Sequence, residues 1–201
     1  MNLPNRLTLF RMILIPAAVL VYLFPYAQFG IELQTFSFGA VRLSAVNIIC
    51  LAIYAVAALT DYLDGRIARS RNLVTNFGKF MDPIADKLLV MSALIVLTAQ
   101  GRMPDWVCIL MLAREFLVSG FRLVAVENGR VIAAGPLGKL KTVFQMVATI
   151  ALMLLVPVEG APLLGNGGVI FANVLMYIAL ALTVVSGADY LWRNRDCIKD
   201  M

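Results

Sequence analysis

Asp61, Asp64, Asp82 and Asp86 are the residues of this chain best suited to chemistry. The first two stand in the run Asp61-Tyr62-Leu63-Asp64-Gly65-Arg66-Ile67-Ala68-Arg69. Eight residues later comes Gly78-Lys79-Phe80-Met81-Asp82-Pro83-Ile84-Ala85-Asp86-Lys87. Asp61 and Asp64 are spaced i, i+3 at the end of one apolar run, and Asp82 and Asp86 are spaced i, i+4 at the start of the next. Each pair therefore shares one helix face. A short connection makes the two helices neighbours, so four negative charges can converge at a membrane boundary. Bare carboxylates that close repel, and one or more would take up a proton. A divalent cation removes the conflict. Hard oxygen ligands suit Mg²⁺ or Mn²⁺, and the lack of His and of paired Cys argues against zinc or copper. Four carboxylates can bridge two metals, and two metals can clamp a pyrophosphate and serve both the entering and the leaving oxygen. Gly65 and Ala68 would let a planar base or a phosphate come close to the backbone, and Arg69 could pair with a phosphate. The plain reading of one Asp at a span end is interfacial. Four on two faces, beside Gly65 and Arg69, point to function, because ionisable groups in spans are costly. Asp82 has a second reading as the N-cap of a helix with Pro83 in its first turn, and cap and ligand are alternatives for that carboxylate.

The elements that must hold these groups are membrane helices. The 201 residues are 61% hydrophobic and 14% charged, against roughly 45–50% apolar in soluble domains, and the mean hydropathy is +0.87. A span needs about 20 mainly apolar residues. The sequence predicts an all-α single domain with six spans, near 9–27, 43–60, 81–99, 104–125, 141–158 and 169–190. Arg11 interrupts the first, and Arg114-Glu115 the fourth. Arg6, Arg66, Arg69, Arg71, Lys79, Arg122, Arg130, Lys139, Lys141, Arg193, Arg195 and Lys199 fall on one side of these spans, and only Arg42 and Arg102 on the other. The positive-inside rule then puts both termini in the cytoplasm. Trp106 and Trp192 fall near opposite ends of spans, and 161–168 reads as an outer turn. The first apolar run passes Pro16 without a small-residue cleavage site, so it reads as a span and not a signal peptide. Cys50, Cys108 and Cys197 show no metal or disulfide spacing and read as apolar filler. The net charge of +5 favours phosphate-rich or anionic-lipid partners. The charges are scattered between apolar runs, so no strip for nucleic acid forms.

The pattern D-x2-D-G-x2-A-R-x8-G-x3-D-x3-D resembles the signature of the CDP-alcohol phosphatidyltransferase family. Asp61, Asp64, Gly65, Ala68, Arg69, Gly78, Asp82 and Asp86 fill all its positions. The resemblance implies a six-helix membrane enzyme, usually a homodimer, with two Mg²⁺ or Mn²⁺ ions on the four aspartates. By it, Asp61, Asp64 and Asp82 are metal ligands, and Asp86 is both a ligand and the base for the acceptor hydroxyl. Gly65, Ala68, Arg69 and Gly78 would belong to the CDP-lipid site. The opening Pro4-Asn5-Arg6-Leu7-Thr8-Leu9-Phe10-Arg11 is similar to the family's start, which brings Asn5 and Thr8 near the nucleotide.

Within the family, Arg114-Glu115-Phe116-Leu117-Val118-Ser119-Gly120-Phe121-Arg122 resembles the branch that uses CDP-diacylglycerol and sn-glycerol 3-phosphate and releases CMP. So does Gly138-Lys139-Leu140-Lys141-Thr142, followed by Gln145. An acceptor that already carries a phosphate needs cations, and Arg114, Arg122, Lys139 and Lys141 are the candidates. For the last three, positive-inside topology is an equally good explanation. Arg114 lies deeper and would be costly without a partner. Glu115 sits about 100° round the helix from it and is not the expected one. Inositol phosphate is an alternative acceptor. A metal-ion or proton-coupled transporter is the rival class, but such sites lie near the midplane on broken helices in repeated halves, and no repeat is visible here.

Overall fold

The computed structural model describes residues 3–31, 34–38, 41–70, 75–127, 135–158 and 161–195. Six long helices account for most of them: α1 (Leu3–Leu23), α2 (Ala45–Ser70), α3 (Asn76–Ala99), α4 (Asp105–Glu127), α5 (Pro136–Leu155) and α6 (Gly165–Arg193). The expected helices are present, with shifted ends. The largest shift is at the aspartate motif, which falls between the expected spans 43–60 and 81–99. There α2 runs on through Asp61, Asp64 and Arg69 to Ser70, and α3 begins at Asn76. Leu63, Arg66, Ala68 and Arg69 are good helix formers and support the extension, against Asp61, Asp64 and Gly65, which are poor ones.

The chain is not purely helical. A 3-10 turn (Tyr26–Phe29) and an antiparallel hairpin, β1 (Thr35–Phe38) with β2 (Val41–Ser44), occupy what the sequence suggested was a plain outer loop. Phe38 pairs with Val41 and Thr35 with Ser44. The β-branched and aromatic residues in Thr-Phe-Ser-Phe and Val-Arg-Leu-Ser favour strands.

The helices form two compact units, α1–α3 in one and α4–α6 in the other. In the first, Cys50 Sγ lies 3.7 Å from the Ala18 carbonyl and Gln100 Nε2 donates to Asn47 Oδ1 at 3.0 Å. Both contacts fit helices that alternate in direction. In the second, Arg102 Nη1 donates to the Met153 carbonyl at 3.2 Å, which sets α5 antiparallel to α4. The buried face of α6 is mostly small: Gly168, Ala172, Ala179, Thr183, Ser186 and Gly187. Small residues let membrane helices approach closely.

Many large apolar side chains face outward. Arg11 has 0% of its surface exposed, while Ile13 and Leu20 of the same helix are 70% and 69% exposed. Such an apolar exterior needs lipid as solvent. By length and composition, α1, α5 and α6 can each cross a membrane over their described residues, and α2 has an apolar part at Ala45–Thr60. Four hydroxyls within the helices are satisfied locally. Ser92, Thr98, Thr149 and Thr183 donate to the carbonyls four residues back, a bond that needs no water.

Candidate active site

The first unit sets α1 against the start of α3 as a comb. Asn5, Thr8 and Arg11 are spaced three apart on one face of α1, and Gly78, Asp82 and Asp86 are spaced four apart on α3. Thr8 Oγ1 donates to Asp82 Oδ1 at 2.7 Å, and Arg11 Nη1 donates to Asp86 Oδ1 at 2.6 Å. Asn5 Oδ1 accepts from Thr75 Oγ1 at 2.8 Å, and Thr75 Oγ1 accepts from the Gly78 N–H at 3.0 Å. The side chain of Thr75 thus caps α3. This resolves one alternative left by the sequence: Asp82 is not the N-cap, and Pro83 lies inside the helix. Pro83 removes one backbone hydrogen bond there, and Asp82 is left to face α1.

Gly78 is the tightest point of this contact. A Cβ there would lie 3.2 Å from Asn5 Oδ1, 3.4 Å from Thr75 Oγ1 and 3.6 Å from Asp82 Oδ2. Gly78→Ala is expected to crowd Asn5 Oδ1 and disturb the bond it accepts from the capping Thr75. Overpacking of this kind costs about 1–3 kcal/mol. The melting temperature in detergent should fall and turnover should drop several-fold or more. Unchanged values for both would mean that the contact yields without consequence.

Helix register brings the remaining aspartates to the same end. Asp61 lies fourteen residues beyond Asn47 on α2, and Asp86 fourteen before Gln100 on α3. With about 1.5 Å of rise per residue, the Asn47–Gln100 bond sets both at one level. Counting from Cys50 and Ala18, Asp61 also comes level with Leu7, next to Thr8. The side chains of Asp61, Asp64, Gly65, Ala68 and Arg69 lie outside the described residues. Among the described residues no three His, Cys, Asp or Glu side chains gather. The described half of the set fits a hard divalent cation in its chemistry: two carboxylates one turn apart, each with one oxygen oriented by a neighbour. Asp86 remains half exposed at 49%.

The second unit has its own polar centre. Arg114 Nη1 lies 3.3 Å from Glu115 Oε1, and Arg114 Nη2 donates to Ser186 Oγ at 3.0 Å. Lys141 Nζ pairs with the same Glu115 Oε1. The expectation that Glu115 would not partner Arg114 is therefore corrected. The two long side chains bridge the 100° between their Cα positions, where the buried cation has a strong need for an anion. Gly187 leaves the space for this: a Cβ there would come within 3.0 Å of Arg114 Cγ. Two cations share one carboxylate, so the cluster carries a net positive charge. Arg114 Nε, Gln145 Nε2 and Tyr190 OH are buried without a partner among the described residues. Buried polar atoms ordinarily have partners, so the centre has hydrogen-bonding capacity in reserve.

The four cations named from the sequence do not all meet. Arg114 and Lys141 join on Glu115. Arg122 is exposed and lies over the Tyr190 ring, 5.9 Å from its centroid. Lys139 is exposed and sits outside the cluster among the described contacts. Sequence reasoning missed the roles of Arg11, Thr75, Glu115, Ser186 and Gly187. Arg11 had a signal, as a charge in an apolar run three residues from Thr8. Ser186-Gly187 had a fainter one, as a small polar pair in the most apolar helix.

A helical, lipid-facing protein whose α2 and α3 carry paired carboxylates at one end is the class these observations define. The chain belongs to the CDP-alcohol phosphatidyltransferase family, whose model matches residues 1–185. It is 41% identical over 199 residues to the CDP-diacylglycerol–glycerol-3-phosphate 3-phosphatidyltransferase of Bacillus subtilis (strain 168), covering 98% of this chain and 97% of the relative. Relatives with the same name in Rickettsia typhi and Salmonella choleraesuis are 38% and 37% identical. They cover 94% and 99% of this chain, and 94% and 98% of their own lengths.

Proposed function

We propose that this protein transfers the phosphatidyl group of CDP-diacylglycerol to sn-glycerol 3-phosphate, giving phosphatidylglycerophosphate and CMP. Near-full-length similarity to relatives of that name supports the reading. The structural observation that carries it is the pair of the largely buried Arg114 and the buried Lys141, held by Glu115 with net positive charge. A phosphorylated acceptor suits such a centre better than a neutral alcohol does. Inositol phosphate would meet the same charge, and the names of the relatives favour glycerol 3-phosphate.

In this reading Asp61, Asp64, Asp82 and Asp86 hold two Mg²⁺ or Mn²⁺ ions. When bound, such ions neutralise the pyrophosphate and stabilise the charge that develops at phosphorus. Thr8 and Arg11 orient the Asp82 and Asp86 carboxylates. Gly65, Ala68, Arg69 and Gly78, with Asn5 and Thr8, form the CDP-lipid site. Arg114 and Lys141 take the acceptor phosphate, with Arg122 and Lys139 drawing the anion in from the surface. Asp86 receives the proton of the acceptor's 1-hydroxyl as its oxygen attacks the lipid-side phosphorus. The six helices span the cytoplasmic membrane with both termini and the site on the cytoplasmic side, and the family resemblance adds a homodimer.

The test is CMP release by the purified protein from CDP-diacylglycerol, with glycerol 3-phosphate, inositol phosphate, inositol and serine offered in parallel. Release is expected with glycerol 3-phosphate, and EDTA should abolish it. Release with another acceptor alone would overturn the role given to Arg114 and Lys141.

A further inference from the structure

We propose that Arg11 is a positioning residue for the reaction: from α1 its guanidinium holds the Asp86 carboxylate in the orientation its chemistry needs. The inference rests on the reading of Asp86 as metal ligand and base. Arg11 has no exposed surface, and its Nη1 lies 2.6 Å from Asp86 Oδ1. A charge in an apolar helix is expensive and is kept only where it is well paired or used. Its partner, Asp86, keeps 49% of its side-chain surface exposed. Arg11 therefore holds one oxygen of a carboxylate that is half exposed. Thr8 does the same for Asp82 with a neutral hydroxyl, so the two carboxylates are oriented from one face of one helix. A guanidinium stays charged throughout, so Arg11 takes no proton. Its planar fork fixes a carboxylate's orientation, which an ammonium does less well.

A purely structural role is the competing explanation: the pair would only anchor α1 on α3. The two differ in what Arg11→Lys does, since it keeps the charge and loses the fork. The full-length protein in detergent, without lipid substrate, is titrated with Mn²⁺ and free Mn²⁺ is followed by electron paramagnetic resonance. Wild type, Arg11→Lys, Asp86→Asn and the double variant are compared, each with its melting temperature. Arg11→Lys should stay folded and need about 10–100-fold more Mn²⁺ for half-saturation, as expected when the partner of a ligating residue is lost. In the Asp86→Asn background the same change should add nothing, because the two residues act as one unit. An unchanged half-saturation, or an equal shift in both backgrounds, overturns the inference. So does an Arg11→Lys protein that does not fold, which would make the pair an anchor. Asp86→Asn binding Mn²⁺ like wild type overturns the metal reading and this inference together. An effect of Asp86→Asn without one of Arg11→Lys overturns the inference alone.

Discussion

Asp86→Asn is expected to lower CMP release by about 10²–10⁴-fold, the usual worth of a positioned general base, in a protein that remains folded. Asparagine is the right replacement. Its amide oxygen can still accept from Arg11, which now bonds Asp86 Oδ1 at 2.6 Å, so packing between α1 and α3 should survive. The amide cannot take a proton at neutral pH and is a poorer ligand for a hard cation. Asp86→Ala would confuse the result, because it takes the Asp86 carboxylate from a buried guanidinium and so lowers stability as well as rate. The measurement is the initial rate of CMP release at saturating Mg²⁺ and both substrates, beside the melting temperature in detergent. Near-normal turnover by folded Asp86→Asn would remove Asp86 from the role of base.

Lys141→Met should act on the acceptor and spare the lipid. The Lys141 side chain is only 4% exposed and pairs with Glu115. Methionine keeps most of the length of the side chain and removes its charge, so the Arg114–Glu115–Lys141 cluster falls from net positive to neutral. A hydrogen bond to a charged group contributes about 1.5–3 kcal/mol, and each 1.4 kcal/mol is about tenfold. The kcat/KM for glycerol 3-phosphate is therefore expected to fall by about 10–10²-fold, with the KM for CDP-diacylglycerol nearly unchanged. Adding Glu115→Gln to Lys141→Met restores the net positive charge through Arg114 and should recover part of the loss. That recovery separates charge from shape. If Lys141→Met lowers only the melting temperature, the cluster is structural and the acceptor phosphate is held elsewhere.

Much of the site was legible in the residues themselves. The spacing of Asp61, Asp64, Asp82 and Asp86 is a local property: helical periodicity sets which side chains share a face, whatever the rest of the chain does. The apolar runs that become α1 to α6 are legible for the same reason, since each is a property of about twenty consecutive residues. Boundaries were less so. The polar residues after Thr60 looked like a loop because hydropathy reports the membrane edge and not the helix end, and α2 continues past that edge to Ser70. The hairpin at 35–44 was passed over because a short outer segment with Gly39 at its centre resembles an ordinary turn.

By itself the sequence determined the six-helix, apolar character of the chain and the family signature that its four aspartates complete. Only the tertiary structure decided who partners whom. Arg11 was an interruption in an apolar run until α3 packed beside α1 and gave it Asp86. Glu115 was set aside because a helical wheel measures Cα directions, whereas two long side chains and a shared need for neutrality brought it to Arg114 and Lys141. Gly78 matched a motif position, and the structure supplies the reason in Asn5, Thr75 and Asp82, from which a Cβ there would lie 3.2–3.6 Å. Spacing along one chain segment is written in that segment. Pairings between residues more than seventy positions apart depend on which helix faces meet, and packing decides that.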